Sequence, residues 1–321
     1  MKVNSIIWVL PYLLTVAVGV ALLISQDAYS IQLVLGAGML VSLALSWDIL
    51  SRTGQVSLGQ SAFFGIGAYT VALSGDLGWI VGWLLTATVC ALSAVVIGLL
   101  TLRLRRIYFT IATLALSLSI KVLILVFGDY TGGASGISPP MIGNGDPVMQ
   151  VLAMLAVVIL SLIASDIFMS GRYRPAFFMI RAKPALAEAS GVPIVRMKML
   201  AFIVSGVLAG LAGAAYAGLY GYLVPDDVFA QSWSVMPLAA AILGGMDTTA
   251  GPFIGAVALK VLEGVARSYI GGVGYQIVYG AVMIAFIAAM PKGLAGLAAA
   301  LRGRAWVRCG ARAAQTAQRV H

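Results

Sequence analysis

Apolar residues run through this chain in blocks, and the blocks are long. Ten stand out, at 6–25, 31–50, 56–73, 79–100, 107–127, 148–168, 199–220, 232–246, 250–270 and 275–290. A block of about twenty residues with few charges predicts a helix that can cross a bilayer. In hydrocarbon only helices and closed barrels satisfy their own backbone polar groups, and blocks of this length predict helices. The expected fold is therefore all-α and polytopic, with about ten transmembrane or re-entrant helices over residues 1–298 and a basic cytoplasmic tail over 299–321. The first block follows Lys2 and is longer than a signal-peptide core, so it predicts a retained helix.

Two blocks are weak as simple spans. Residues 56–73 read VSLGQSAFFGIGAYTVAL, with Gly59, Gly65 and Gly67 interrupting and Ser57, Gln60 and Ser61 gathered at one end. Residues 232–246 are too short to cross hydrocarbon. These are the third and eighth blocks, so they hold matching places in two halves of five. An odd number of spans per half inverts one half relative to the other. Short or Gly-interrupted helices at matching places of inverted halves point to a translocation path. Ser57, Gln60 and Ser61 are its candidate polar residues, and Phe63, Phe64 and Tyr69 its candidate walls. Close helix packing is the alternative use of those glycines. In 199–220, Gly206, Gly210, Ala214 and Gly218 recur every four residues, as do Ser205, Ala209, Gly213 and Ala217; this predicts packing against neighbouring helices.

Composition strengthens the membrane reading, with 61% apolar and 10% charged residues against about a quarter charged in a soluble domain. A net charge of +9 alone fits a nucleic-acid binder, but its placement does not. With Lys2 inside and the blocks alternating, Arg52, the Arg103/Arg105/Arg106 cluster, the stretch 170–198 and the tail from Lys292 fall on the inner side. Asp27, Asp76, Asp129, Asp146, Asp226 and Asp227 fall outside. Basic residues on the cytoplasmic side are what membrane insertion favours, so both termini are expected in the cytoplasm.

Few charges lie within the blocks. Lys260, Glu263 and Arg267 stand at three- and four-residue steps on one helix face, where they can pair as a structural ion ladder. Lys121 can snorkel to the outer surface. Cys90 and Cys309 support neither a disulfide nor a metal framework, and His321 is the sole histidine. No phosphate loop, HExxH, CxxC pair or GxSxG elbow occurs, so no cofactor or catalytic residue is expected in this chain. The Gly-rich loop 128–147 faces outside and suits an extracytoplasmic docking surface or lid.

The stretch Gly171–Lys198 is the longest run without a membrane-length apolar core. It carries Arg172, Arg174, Arg181, Lys183, Arg196 and Lys198 against Glu188. Pro184 suits a first helical turn, and Gly191 with Pro193 is a stop signal. Such a short helix needs something to pack on. From charge alone, a solvated basic loop on the cytoplasmic face is an equal reading.

Six separated motifs carry a resemblance: SLGQSAFFGIGAYTVAL (57–73), TLRLRRIYFTIATLALS (101–117), TGGASGIS (131–138), AEASGVPIVRMKMLAFIVSGVLAGLAGAAYA (187–217), ILGGMDTTAGPFIGA (242–256) and MPKGLAGL (290–297). In this order they resemble the LivM-type permease subunit of bacterial branched-chain amino acid ABC importers, over nearly the whole chain. The resemblance implies that 170–198 contains the coupling segment that docks on a cytoplasmic ATPase, with Arg181, Glu188, Ala189 and Gly191 on its recognisable positions. The chain departs just upstream, where Ala182-Lys183-Pro184 stands for a usually acidic stretch. It further implies an inner-membrane complex with a homologous LivH-type permease, two ATP-binding subunits that use ATP and Mg, and a periplasmic binding protein. Urea, short amides and other amino acids are alternative substrates within such a family. A free-standing ion-coupled carrier using the 260/263/267 ladder is the alternative from another class; it would need no docking helix at 170–198.

Overall fold

The computed structural model describes residues 3–270 except 26, 27, 105, 172 and 247, together with 280, 281, 284 and 293. The tail with Cys309 and His321, and Lys2, Asp27, Arg105, Arg172 and Lys292, lie outside that set; the tenth block and the 290–297 motif lie almost wholly outside it. The regular elements of the described chain are helices: α1 (Val3–Ser25), α2 (Ala28–Ser51), α3 (Gln60–Ser74), α4 (Trp79–Thr101), α5 (Arg106–Val126), α6 (Gly128–Thr131), α7 (Pro147–Met169), α8 (Tyr173–Ala182), α9 (Pro184–Ala189), α10 (Ile194–Tyr220), α11 (Pro225–Val228), α12 (Ser232–Gly244) and α13 (Ala250–Ile270). Among the described residues, five stretches are long and apolar enough to cross a membrane: Tyr29–Ser51, Trp79–Thr101, Ile107–Val126, Pro147–Met169 and Ile194–Tyr220. This is an all-α polytopic chain.

Local chemistry sets the helix ends. Asp146 caps α7, its carboxylate accepting from the Val148 N–H at 3.0 Å, with Pro147 in the first turn. Pro184 opens α9 and Pro225 opens α11. The helix α10 stops at Gly221, whose φ of +64° is costly for any residue with a Cβ.

Paired contacts give the helix directions. Gly36 and Leu33 of α2 face Lys260 and Gly264 of α13, so those two helices are antiparallel. Gly38 faces Met154 and Arg52 meets Ser165, so α2 and α7 run parallel. Gly59–Ser74 and the first part of α10 run together, since Gln60 meets Ser205 and Gly67 meets Gly210. One end of the bundle gathers the start of α2 and α7 with the end of α10, around Tyr29, Pro147 and Tyr220. The opposite end gathers Arg52, Ser165 and Thr249.

The core has two lobes. In one, the rings of Phe63, Phe64, Tyr69, Phe109, Phe202 and Phe229 fill the space among α3, α4, α5 and α10. In the other, α2 is sheathed by α1, α7, α12 and α13. The small-residue stripes of α10 pack within this chain: Gly206 against Phe63, Gly210 against Cys90, Gly213 against the Phe64 backbone and Gly218 against Ile142. Any side chain at Gly213 would displace α3. A second seam of this kind joins α12 to α13 through Gly244, Gly251 and Gly255. Leu84, Leu92, Leu100, Ile107, Tyr108 and Ile111 stay exposed on α4 and α5, as they can where the solvent is lipid.

The 128–147 segment is folded against the 221–231 segment. Ile137 and Leu223 exchange backbone hydrogen bonds at 3.0 and 2.9 Å, and Lys121 pairs with Asp226 at 2.5 Å. Lys121 thus reaches the end of the bundle where Asp226 lies, as snorkelling requires.

Candidate functional site

The two weak blocks become two short helices that meet at their N-terminal tips. α3 has 15 residues and α12 has 13, about 22 and 20 Å at 1.5 Å per residue, less than a hydrocarbon core. The helix α12 is antiparallel to α13 and therefore runs with α2, whereas α3 runs with α10 in the opposite sense. At the meeting point the Ser234 hydroxyl accepts from the Ser61 N–H at 2.9 Å and lies 3.0 Å from the Ser61 hydroxyl. Gln231 donates to the Leu58 carbonyl at 3.4 Å, and Gln60 donates to the Ser205 hydroxyl at 2.9 Å.

The chain entering α3 is extended, and its backbone is satisfied from outside. Trp47 donates to the Ser57 carbonyl at 2.9 Å, Thr110 to the Val56 carbonyl at 2.7 Å, and the Leu58 N–H donates to Thr113 at 3.2 Å. The Ser57 hydroxyl accepts from the Gly59 N–H at 3.1 Å. Irregular backbone at membrane depth survives only when protein buries it in this way.

All six candidate path residues, Ser57, Gln60, Ser61, Phe63, Phe64 and Tyr69, are buried within the subunit. Ser57, Gln60 and Ser61 gather at the tip of α3. The rings pack sideways: Phe63 edge-on to Phe202, Phe64 stacked on Trp233 at 4.4 Å, and Tyr69 stacked on Phe229 at 5.9 Å. The side-chain carbonyls of Gln60 and Gln231 have no hydrogen-bond partner among the described residues. The tip therefore combines unengaged acceptors with the positive ends of two helix dipoles.

A buried polar network lies at the C-terminal end of α2. Arg52 is paired with Asp48, one turn earlier, and donates to the Ser165 carbonyl and hydroxyl at 3.0 and 2.9 Å. Ser165 meets Thr249 at 3.5 Å, Thr249 donates to Asp166 at 2.6 Å, and Tyr12 donates to Asp166 at 2.6 Å. The network ties α1, α2, α7 and the entry to α13 together. Asp48, Asp166, Thr249 and Ser165 were not read as site residues from the sequence, although the Asp48–Arg52 spacing of four is a pairing signal.

The 170–198 stretch folds as α8 and α9 on that same end. Ala176, Phe177 and Ile180 of α8 are buried, with Phe177 stacked on Phe168 of α7 at 5.6 Å. Arg52, Arg174 and Arg181 line a cavity of about 770 Å³ there, beside Phe168 and Phe178. On α9 only Ala187 is buried; Glu188, Ala189 and Gly191 are exposed. Gly191 sits at φ +76° with open space around it.

The ladder residues face a small cavity at the opposite end. Lys260 and Glu263 pair at 2.9 Å, and Arg267 lies one turn further along the same cavity wall. Among the described residues no group of three or more His, Cys, Asp or Glu could hold a metal ion.

Comparison with known proteins fits this architecture. Residues 29–287 match the family model described as branched-chain amino acid transport system / permease component. The chain is 28% identical to the high-affinity branched-chain amino acid transport system permease protein LivM of Salmonella typhimurium, covering 88% of this chain and 73% of that one. It is 29% identical to the autoinducer 2 import system permease protein LsrC of Enterobacter sp., over 70% of this chain and 67% of that one. It is 23% identical to the LivH permease protein of Escherichia coli K12, over 76% and 86%. No solved structure matches. With half-helices, glycine seams and a match spanning α2 to beyond α13, the chain belongs to the branched-chain amino acid transport permease family.

Proposed function

We propose that this chain is the permease subunit of an ATP-driven importer, forming half of a membrane channel that passes branched-chain amino acids delivered by a periplasmic binding protein. The observation that carries this reading is the family match across residues 29–287, which includes both half-helices. Relatives named LivM and LivH support a pairing of two homologous permeases. ATP and Mg would be used by two ATP-binding subunits, with this chain binding no cofactor and catalysing nothing itself.

The path runs past the joined tips of α3 and α12. Helix N-termini attract a carboxylate, and the open side-chain carbonyls of Gln60 and Gln231 accept from an ammonium group. A zwitterionic amino acid presents both. Phe63, Phe64 and Tyr69 form the apolar wall, and the site opens only when the tips part. The topology is ten spans or re-entrant helices in two inverted halves of five, α2, α3 and α4 matching α10, α12 and α13. Basic Arg103, Arg174, Arg181, Lys183 and Arg196 then lie inside with both termini, and Asp129, Asp146, Asp226 and Asp227 outside. Exposed Glu188 and Ala189 of α9 and Gly191 just past it, with Arg181, form the ATPase contact.

Reconstitution of the chain with its partner subunits in proteoliposomes tests this. ATP-dependent uptake of labelled leucine, isoleucine or valine supports the reading. ATP-dependent uptake of urea, an amide or autoinducer 2, with no amino acid taken up, would replace the substrate. Uptake driven by an ion gradient without ATP-binding subunits would overturn the class.

A further inference from the structure

The two glycines inside α3 meet different things. A Cβ at Gly67 would stand 2.0 Å from the Gly210 carbonyl oxygen, so that side of α3 is fixed against the backbone of α10. A Cβ at Gly65 would stand 2.1, 2.3 and 2.5 Å from Cε1, Cζ and Cδ1 of Phe229, the far edge of one side chain. Backbone withdraws only if a helix moves, whereas a ring can leave by turning about its side-chain torsions. Phe229 closes α11, in the segment that runs from Gly221 at the end of α10 to the tip of α12. Its ring is buried in the Gly65 notch and stacked on Tyr69 at 5.9 Å. The Tyr69 hydroxyl is buried without a hydrogen-bond partner among the described residues, as are the side-chain carbonyls of Gln60 and of Gln231, two residues beyond Phe229. Buried polar atoms are nearly always paired. Three unpaired ones on the two elements that hold one apolar ring mark a place that a ligand with polar ends completes.

We propose that the Gly65 notch is the subsite for the side chain of the transported amino acid, and that Phe229 occupies it between transport events as a built-in substitute. The inference rests on the permease reading and names the residues that set side-chain selection along that path. A benzyl group is apolar and somewhat larger than the side chains of leucine, isoleucine and valine, so a notch that takes the ring takes any of them. When Phe229 withdraws, the entering side chain replaces its apolar contact. The Gln60 and Gln231 carbonyls and the Tyr69 hydroxyl then become available to the ammonium and carboxylate groups. Glycine at 65 gives the notch its depth. Phe229 supplies the competition: substrate binds only in the fraction of time the ring is out, which keeps the resting affinity low. The segment that carries the ring has its own ties, Asp226 to Lys121 at 2.5 Å and the Trp233 side-chain N–H to the Asp227 carbonyl at 2.9 Å. Withdrawing the ring therefore means loosening that segment.

The test uses the purified complex with its partner subunits in nanodiscs, without nucleotide or binding protein, and labelled leucine as the probe. Phe229→Ala should bind leucine about ten-fold more tightly than the parent, since the resident competitor is gone. Phenylalanine, which carries the missing ring, should bind that variant at least as tightly as leucine does. Phe229→Leu keeps an apolar group in the notch and should behave as the parent. Gly65→Ala added to Phe229→Ala should abolish the gain. A second measurement needs no variant. Photoactivatable leucine should label the parent complex within 65–69 or at 229 when ATP and loaded binding protein drive the cycle, and not at rest. Should Phe229→Ala fail to assemble, that labelling alone decides. Equal leucine binding by the parent and an assembled Phe229→Ala, or no labelling of 65–69 or 229 at any stage of the cycle, overturns the proposal. If the parent takes up no branched-chain amino acid, the permease reading fails and the notch assignment with it. Uptake by the parent with neither the binding gain nor the labelling would discard the notch and leave the permease reading standing.

Discussion

At the scale of the residue, the Asp48–Arg52 pair has the most at stake. Both side chains are almost fully buried, and Arg52 also serves Ser165. Removing one partner of such a pair strands the other in low dielectric at a cost of about 3–5 kcal/mol. Asp48→Asn should therefore lower the thermal unfolding temperature and membrane yield markedly. Ser165→Ala should cost less, about 1.5–3 kcal/mol, the net value of a hydrogen bond to a charged group. A melting temperature for Asp48→Asn equal to the parent would show that the network is not structural. The pair was within reach of the sequence, because Asp48 and Arg52 stand one helical turn apart. The sequence places Arg52 on the inner side, just past the second block, and burial cannot be read from one helix. Asp166 was hidden in the same way: its partners, Tyr12 and Thr249, are 154 and 83 residues distant.

At the scale of the element, Pro184 and Gly191 were legible, and α9 begins and ends where they direct. Glycine is required at 191 because φ is +76° there, with nothing near enough to obstruct a side chain. A β-branched residue would strain the backbone without a clash, so Gly191→Val should leave the subunit folded and disturb the ATPase contact. We expect ATP hydrolysis to continue while uptake falls, measured together in proteoliposomes. Uptake and hydrolysis both at parent levels would remove α9 from the coupling role. The α10 stripes were legible too, as packing. Their partners were not, because small residues specify closeness and leave open which helix comes close. Gly213→Val should prevent α3 from seating and abolish assembly, whereas Gly191→Val should not. Size-exclusion profiles of the two detergent-solubilised complexes compare them; a normal profile for Gly213→Val would contradict the α3–α10 seam.

At the scale of the whole molecule, the ten blocks forecast an all-α polytopic chain, and short third and eighth blocks forecast two incomplete helices. The sequence could not say that Ser61 and Ser234, 173 residues apart, share a hydrogen bond. Gln60-Ser61 and Gln231-Ser232 stand at the start of the two short helices, a repeated polar signal of which the sequence reading uses only the first. The central claim is that transport requires the tips of α3 and α12 to part. The direct measurement is a Ser61→Cys/Ser234→Cys pair in a background lacking Cys90 and Cys309. The hydroxyl oxygens are 3.0 Å apart, so mild oxidation should link the cysteines. The account predicts that the linked transporter takes up no branched-chain amino acid and that reduction restores uptake. Full uptake by a completely crosslinked transporter would contradict it.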